Sequence, residues 1–143
     1  MTETQTIIGK EFPKKVIPLI EAAKKQISIV VFDWRWYSDQ PGNPVQLFNQ
    51  ALVRARRRGV EVRALVNSVA ICNILKDEGC KAKKLLSENL LHAKMILIDD
   101  DIAIVGSHNY SQSAFTTNFE VSVLIRDAER SKEFLNFFNQ LFN

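Results

Sequence analysis

The sequence predicts an α/β fold in which a mixed, largely parallel β-sheet carries helices on both faces. Three observations predict it. Residues 27–32 form a short, β-branched run almost unbroken in apolarity, as a strand covered on both faces requires. A helical pattern and a second β-rich run at 60–66 follow, and strand, helix, strand in that order implies a parallel pair joined by a crossover helix. Farther on, apolar runs flank Asp99, Asp100 and Asp101, and a short acidic turn between two such runs reads as a hairpin, which brings an antiparallel pair into the sheet.

The elements follow in order. Residues 1–10 read as a short polar leader. Residues 12–25 place Val16, Ile17, Leu19, Ile20 and Ala23 on one helical face, with Pro13 near the start and Pro18 where the helix can bend. Pro41, Gly42 and Pro44 make 39–44 a loop, after which 45–58 reads as a helix stopped by Gly59. A further helix is predicted over 69–77. Residues 81–89 fit either a helix or an irregular approach to the next strand. The hairpin strands are 91–98 and 102–105, another strand covers 119–125, and 128–142 closes the chain as a helix. Its Phe134, Leu135, Phe138, Leu141 and Phe142 recur at helical spacing and read as core. At 143 residues and 46% hydrophobic content, one domain over 1–143 is expected.

Charge and composition narrow the function classes. Nineteen Lys and Arg against 16 Asp and Glu give a net charge of +3, which suits a polyanionic partner without demanding one. Residues 1–10 lack the basic flank and apolar stretch of a secretory signal, and no run reaches the ~20 apolar residues of a membrane span. A cytoplasmic protein without stable membrane insertion is therefore expected. Cys72 and Cys80 lack metal-site spacing and read as thiols of a reducing compartment, with a single bridge between them left open.

The chemistry concentrates between His92 and Glu120. If 91–98 is a strand, His92 and Lys94 share a face and Asp99, at odd separation from both, belongs to the other. An imidazole beside an ammonium, next to the turn Gly106-Ser107-His108-Asn109, makes a cradle for a phosphate: Lys94 supplies charge, Asn109, Ser107 and turn amides supply donors, and Gly106 lets the backbone come close. A lone histidine on a strand is usually packing or surface, and a lone lysine usually reaches for solvent. The joint pattern H-x-K-x4-D-x6-G-S-x-N is more specific.

That pattern resembles the signature of the phospholipase D superfamily, and Asn118-Phe119-Glu120 stands where the superfamily often carries N-x-E. The resemblance extends to the order of elements and so to nearly the whole chain, and it is nearest to the short single-motif endonucleases of the superfamily. It implies an active site built from two such motifs, one histidine attacking phosphorus and the other protonating the leaving oxygen. This sequence has one copy. A homodimer with a shared site is therefore expected, with His92 as nucleophile or acid, Lys94, Asn109 and Ser107 on the phosphate oxygens, and Glu120 accepting from His92 Nδ1. Asp99 is expected to support the hairpin. No metal or cofactor is needed, because paired lysines and asparagines take the part of a cation, and the three consecutive aspartates read as a solvated bend.

For substrate, the resemblance implies DNA or RNA first. Arg54, Arg56, Arg57 and Arg58, then Lys81, Lys83 and Lys84, are candidate basic tracks, although cations at a helix C-terminus are also expected on dipole grounds. Trp34, Trp36 and Tyr37 are suited to stacking on bases or to a membrane interface. A phospholipid hydrolase or phosphatidyl transferase is the alternative, since the same two-histidine chemistry serves it. An inactive nucleic-acid-binding module is the third reading, opposed by the intact His92, Lys94 and Asn109.

Overall fold

The structure, a computed structural model, describes residues 2–143, so Met1 of the predicted leader lies outside it. Its elements run β1 (Glu3–Ile8), α1 (Glu11–Ala22), β2 (Gln26–Val30), α2 (Pro44–Arg57), β3 (Glu61–Val66), α3 (Val69–Asp77), β4 (Lys81–Lys84), β5 (Met95–Ile98), β6 (Ile102–Gly106), α4 (Gln112–Thr116), β7 (Val121–Arg126) and α5 (Ala128–Phe142). The seven strands form one sheet in the order β1-β7-β6-β5-β2-β3-β4.

The predicted mixed α/β architecture is present, and so is the parallel β2–β3 pair with α2 as its crossover. The balance of directions differs from expectation. Only β2–β3 and β3–β4 are parallel; β1–β7, β7–β6, β6–β5 and β5–β2 are antiparallel. Of the antiparallel pairs, β5–β6 is the one closed by a short turn; β6 and β7 are joined by residues 107–120, which carry α4, and β1–β7 and β5–β2 pair strands distant in sequence.

Two edge strands account for the other surprises. The leader is β1, pairing with β7 from Glu3↔Arg126 to Ile8↔Val121, and the ambiguous 81–89 begins with β4. Each buries a single residue, Ile7 and Ala82, so neither shows the alternation that betrays a half-buried strand. The five-residue α4 also went unread, being too short for a helical period.

Local chemistry sets the helix ends. Asn43 Oδ1 accepts from Val45 N at 2.9 Å with Pro44 at the first helical position, Ser68 Oγ accepts from Ile71 N, and Asp127 Oδ1 accepts from Arg130 N. Gly59 ends α2 with φ at 104°, a conformation few other residues adopt cheaply. Pro18 lies inside α1 without ending it.

Helices cover both faces unequally. On one, α1, α2, α3 and α4 bury Phe12, Val16, Ile20, Phe48, Leu52, Ile71 and Phe115 against Ile27, Ile29, Ala64 and Ile104. On the other, α5 alone lays Phe138 and Phe142 on Val30, Leu65, Leu97 and Ala103. The five α5 residues read as core all pack there, Phe138 and Phe142 buried and Phe134, Leu135 and Leu141 half-buried against them, while Phe137 is exposed. Cys72 and Cys80 are buried and unbridged, and burial pushes the Cys80 thiol up to about 11.

Candidate functional site

Antiparallel pairing brings the end of β2 beside the start of β5, the end of β6 beside that start, and the start of β7 beside Gly106. The loops at this edge are tied together. Asn67 Nδ2 donates to Phe32 O at 3.0 Å and to Leu91 O at 2.9 Å, and Tyr110 N donates to Asp33 O at 2.9 Å.

His92 and Lys94 stand on this edge. They precede β5 rather than lying in it, since ladder pairing begins at Met95, so the shared face has another origin than strand alternation. Their side chains still meet: Lys94 Nζ lies 3.2 Å from both ring nitrogens of His92. The Phe32 ring joins them, 5.1 Å from the imidazole and 5.5 Å from the ammonium. The imidazole is exposed and the lysine half-buried. Burial holds the Lys94 ammonium below the ordinary lysine value, with the Glu120 carboxylate acting in the opposite direction.

The turn after β6 supplies the rest. Ser107 Oγ donates to Glu120 Oε1 at 2.5 Å and accepts from Val121 N at 3.0 Å, while Asn118 Nδ2 donates to Glu120 Oε2 at 3.0 Å. Glu120 is thus engaged by Ser107 and Asn118, and not by His92 Nδ1 as the sequence suggested. Asn109 Oδ1 accepts from Asp33 N at 3.1 Å, so its amide nitrogen is the end it can offer an anion.

His108, the variable residue of the turn, was unremarked in the sequence and is structural. It is 2% exposed and stacked 4.5 Å from Phe12; its Nε2 donates to Gly9 O at 2.8 Å and its Nδ1 takes the Ser122 hydroxyl at 2.7 Å. Burial holds its pKa below the usual histidine value. This buried post fixes its neighbours Ser107 and Asn109, and no second free imidazole remains in a chain with two histidines.

The remaining predicted residues scatter. Asp99 sits at the far end of β5, at φ 52°, where Oδ1 accepts from Lys25 N at 2.7 Å and the carboxylate also receives Lys24 N and Gln26 N. It ties the α1–β2 turn to the hairpin. Asp99→Ala is expected to lower unfolding free energy by about 2 kcal/mol, measured by urea denaturation, with the site end of the sheet unaffected.

Trp34 is not a substrate platform. It is 4% exposed, with Nε1 donating to Asn49 Oδ1 at 2.7 Å, and Trp36 packs half-buried against the same core. Arg57 and Arg58 lie at the C-terminus of α2, beside the start of β3 and therefore at the end of the sheet remote from His92. Arg57 faces Glu78 at 3.6 Å, and Arg58 donates to the carbonyls of Ile20 and Ala23. Lys83 is spent on Phe142 O at 2.6 Å, while Lys84 is exposed at the end of β4. Phe32 was missed. Its signal was present, because it follows Val30 by two positions on the α5 face and points toward the edge where the motif lies.

An exposed imidazole beside a cation, with hydroxyl, amide and carboxylate groups fixed around it at one sheet edge, defines a candidate anion-handling site on an α/β scaffold. The family model described as "Cardiolipin synthase, PLD-like domain" matches residues 16–142, and the chain belongs to this phospholipase D-like family. Cardiolipin synthase A of Pectobacterium carotovorum is 30% identical over 121 residues, covering 71% of this chain and 24% of that protein. This chain therefore spans about a quarter of the length of such curated relatives. Among solved structures, Nuc of Salmonella typhimurium, a phospholipase D family member, superposes with a TM-score of 0.85 at 22% identity over 100% of this chain and 95% of its own. NucT of Helicobacter pylori gives 0.77 at 18% identity, covering 99% and 96%. No helix among the described residues is long and apolar enough to cross a membrane, and no cluster of three or more His, Cys, Asp or Glu side chains gathers among them as a metal site.

Proposed function

We propose that this chain is one half of a metal-independent phosphodiesterase whose site is completed by a second copy. The observation that carries the reading is the array of His92, Lys94, Ser107, Asn109 and Glu120 with a single free imidazole. His92 Nε2 attacks phosphorus and forms a phosphohistidine while the partner's His92 protonates the departing alkoxide. That same partner imidazole then takes a proton from water, whose oxygen attacks phosphorus and frees His92. Lys94 and Asn109 hold the nonbridging oxygens as charge builds on them, and Ser107, held by Glu120, assists.

Support for a second copy lies beside the site. Phe119 is fully exposed, and Ile8 and Val121, paired across β1 and β7, are more than half exposed, forming an apolar rim next to Glu120. The unbridged cysteines suit the cytoplasmic setting expected from the sequence.

The geometry favours a phospholipid over nucleic acid as substrate. The arginine track faces away from His92, whereas an aliphatic groove adjoins it. The names of the cardiolipin synthases point the same way. The nuclease reading keeps the resemblance to single-motif endonucleases and the exposed Lys84. One assay series tests all of this: bis(p-nitrophenyl) phosphate, plasmid, RNA and phosphatidylglycerol vesicles, each with excess chelator. Chelator-resistant turnover of the nitrophenyl ester is expected, and the natural substrate that is cleaved decides between lipid and nucleic acid. Phe119→Asp is expected to give a monomer near 16.3 kDa without turnover; an active monomer would refute the shared site.

A further inference from the structure

The loop from β4 to β5 presents leucines to solvent. Leu86 is 89% exposed and Leu90 68%, and Phe137 of α5 stands exposed beside them. Between loop and helix runs a groove of about 350 Å³, lined by Leu85, Leu90, Leu91, Phe137 and Leu141, with Ser87, Asn89 and His92 also in its wall. Exposed leucines at the mouth of an apolar groove mark a surface that some apolar phase covers. The lining is mostly aliphatic, which suits hydrocarbon; single-stranded nucleic acid is met by aromatic rings on which bases stack. The charges flanking the loop fit an anionic partner. On β4 before it, Lys81 is paired with Glu61 at 3.0 Å and Lys83 keeps its charge while donating to Phe142 O, which leaves Lys84, without a salt bridge among the described residues, as the open cation beside the loop, against the single carboxylate Glu88 within it.

We propose that residues 85–91 and Phe137 are a docking surface for an anionic lipid bilayer. Leu86 and Leu90 enter the acyl boundary, Lys84 meets lipid phosphates, and the groove receives one acyl chain of a lipid whose phosphodiester then lies at His92. The last step rests on the phosphodiesterase reading; the docking itself does not. No membrane-spanning element is needed, since a few apolar side chains with a basic flank give reversible, composition-dependent attachment.

Flotation with vesicles separates the two. The chain is expected to float with vesicles of phosphatidylglycerol and phosphatidylcholine, and at least about tenfold less with phosphatidylcholine alone or in high salt. Leu86→Asp, at a side chain outside the groove, is expected to lower the partition at least about tenfold while keeping its thermal midpoint and assembly mass. His92→Ala is expected to float as the parent does, so loss of catalysis leaves the docking result standing. Failure of the parent chain to float overturns the proposal. So does undiminished flotation of Leu86→Asp, as does a Leu86→Asp chain that floats less only because it has become monomeric, which would assign the leucines to a contact between copies.

Discussion

Replacing His92 with alanine is expected to lower turnover of bis(p-nitrophenyl) phosphate by about 10⁴-fold or more, because the substitution removes the nucleophile and, in a shared site, the proton donor as well. Structure should survive. The imidazole is exposed, its neighbours are the Lys94 ammonium and the Phe32 ring, and no backbone group among the described residues hydrogen-bonds to it. The thermal midpoint and assembly mass are expected to match the parent. Mixing sharpens the test: if subunits of parent and His92→Ala exchange freely at equal amounts, only roughly a quarter of the dimers carry both imidazoles. Activity per total protein should then fall to about a quarter of the parent value, against about half for independent sites. Retained activity in the pure variant would show that another group attacks phosphorus.

How much of this was legible in the sequence follows from where each signal lives. Strands buried on both faces, such as β2, β3 and β5, announce themselves by apolarity, and α2 by the loop of Pro41, Gly42 and Pro44 before it and Gly59 after it. The edge strands β1 and β4 do not, because only one residue of each meets the core. The motif located the site through residue types at fixed spacing. It did not give their environment. Trp34 sits between Asp33 and Arg35 and looked like surface, yet it is the residue of that stretch turned inward onto Asn49 of α2. Arg57 and Arg58 were misjudged for a topological reason: a crossover helix runs back along the sheet, so its C-terminus lies at the amino ends of the parallel strands, away from a site at their carboxyl ends. His108 was invisible in role because its two partners, Gly9 and Ser122, are distant in sequence.

Gly106→Ala is expected to cost about 3 kcal/mol or more of stability and, with it, the site. At this position β6 passes so close to β7 that a Cβ would overlap the Ser122 Cα and Oγ and approach Val121 O to 2.5 Å. Two of the three obstacles are backbone atoms, so no change of rotamer relieves them and the strands must part. The consequence reaches the chemistry directly. Ser122 Oγ is the partner of His108 Nδ1, and Val121 exchanges hydrogen bonds with Ser107, so separating β6 from β7 releases the post beneath the turn and the serine that holds Glu120. For a chain of this size, 3 kcal/mol corresponds to a fall in thermal midpoint of roughly 10 °C. Calorimetry checks the first part, and turnover measured well below the new midpoint checks the second. A variant that melts normally and turns over normally would mean that the two strands do not approach as described, and the placement of Ser107 and Glu120 beside His92 would fall with that contact.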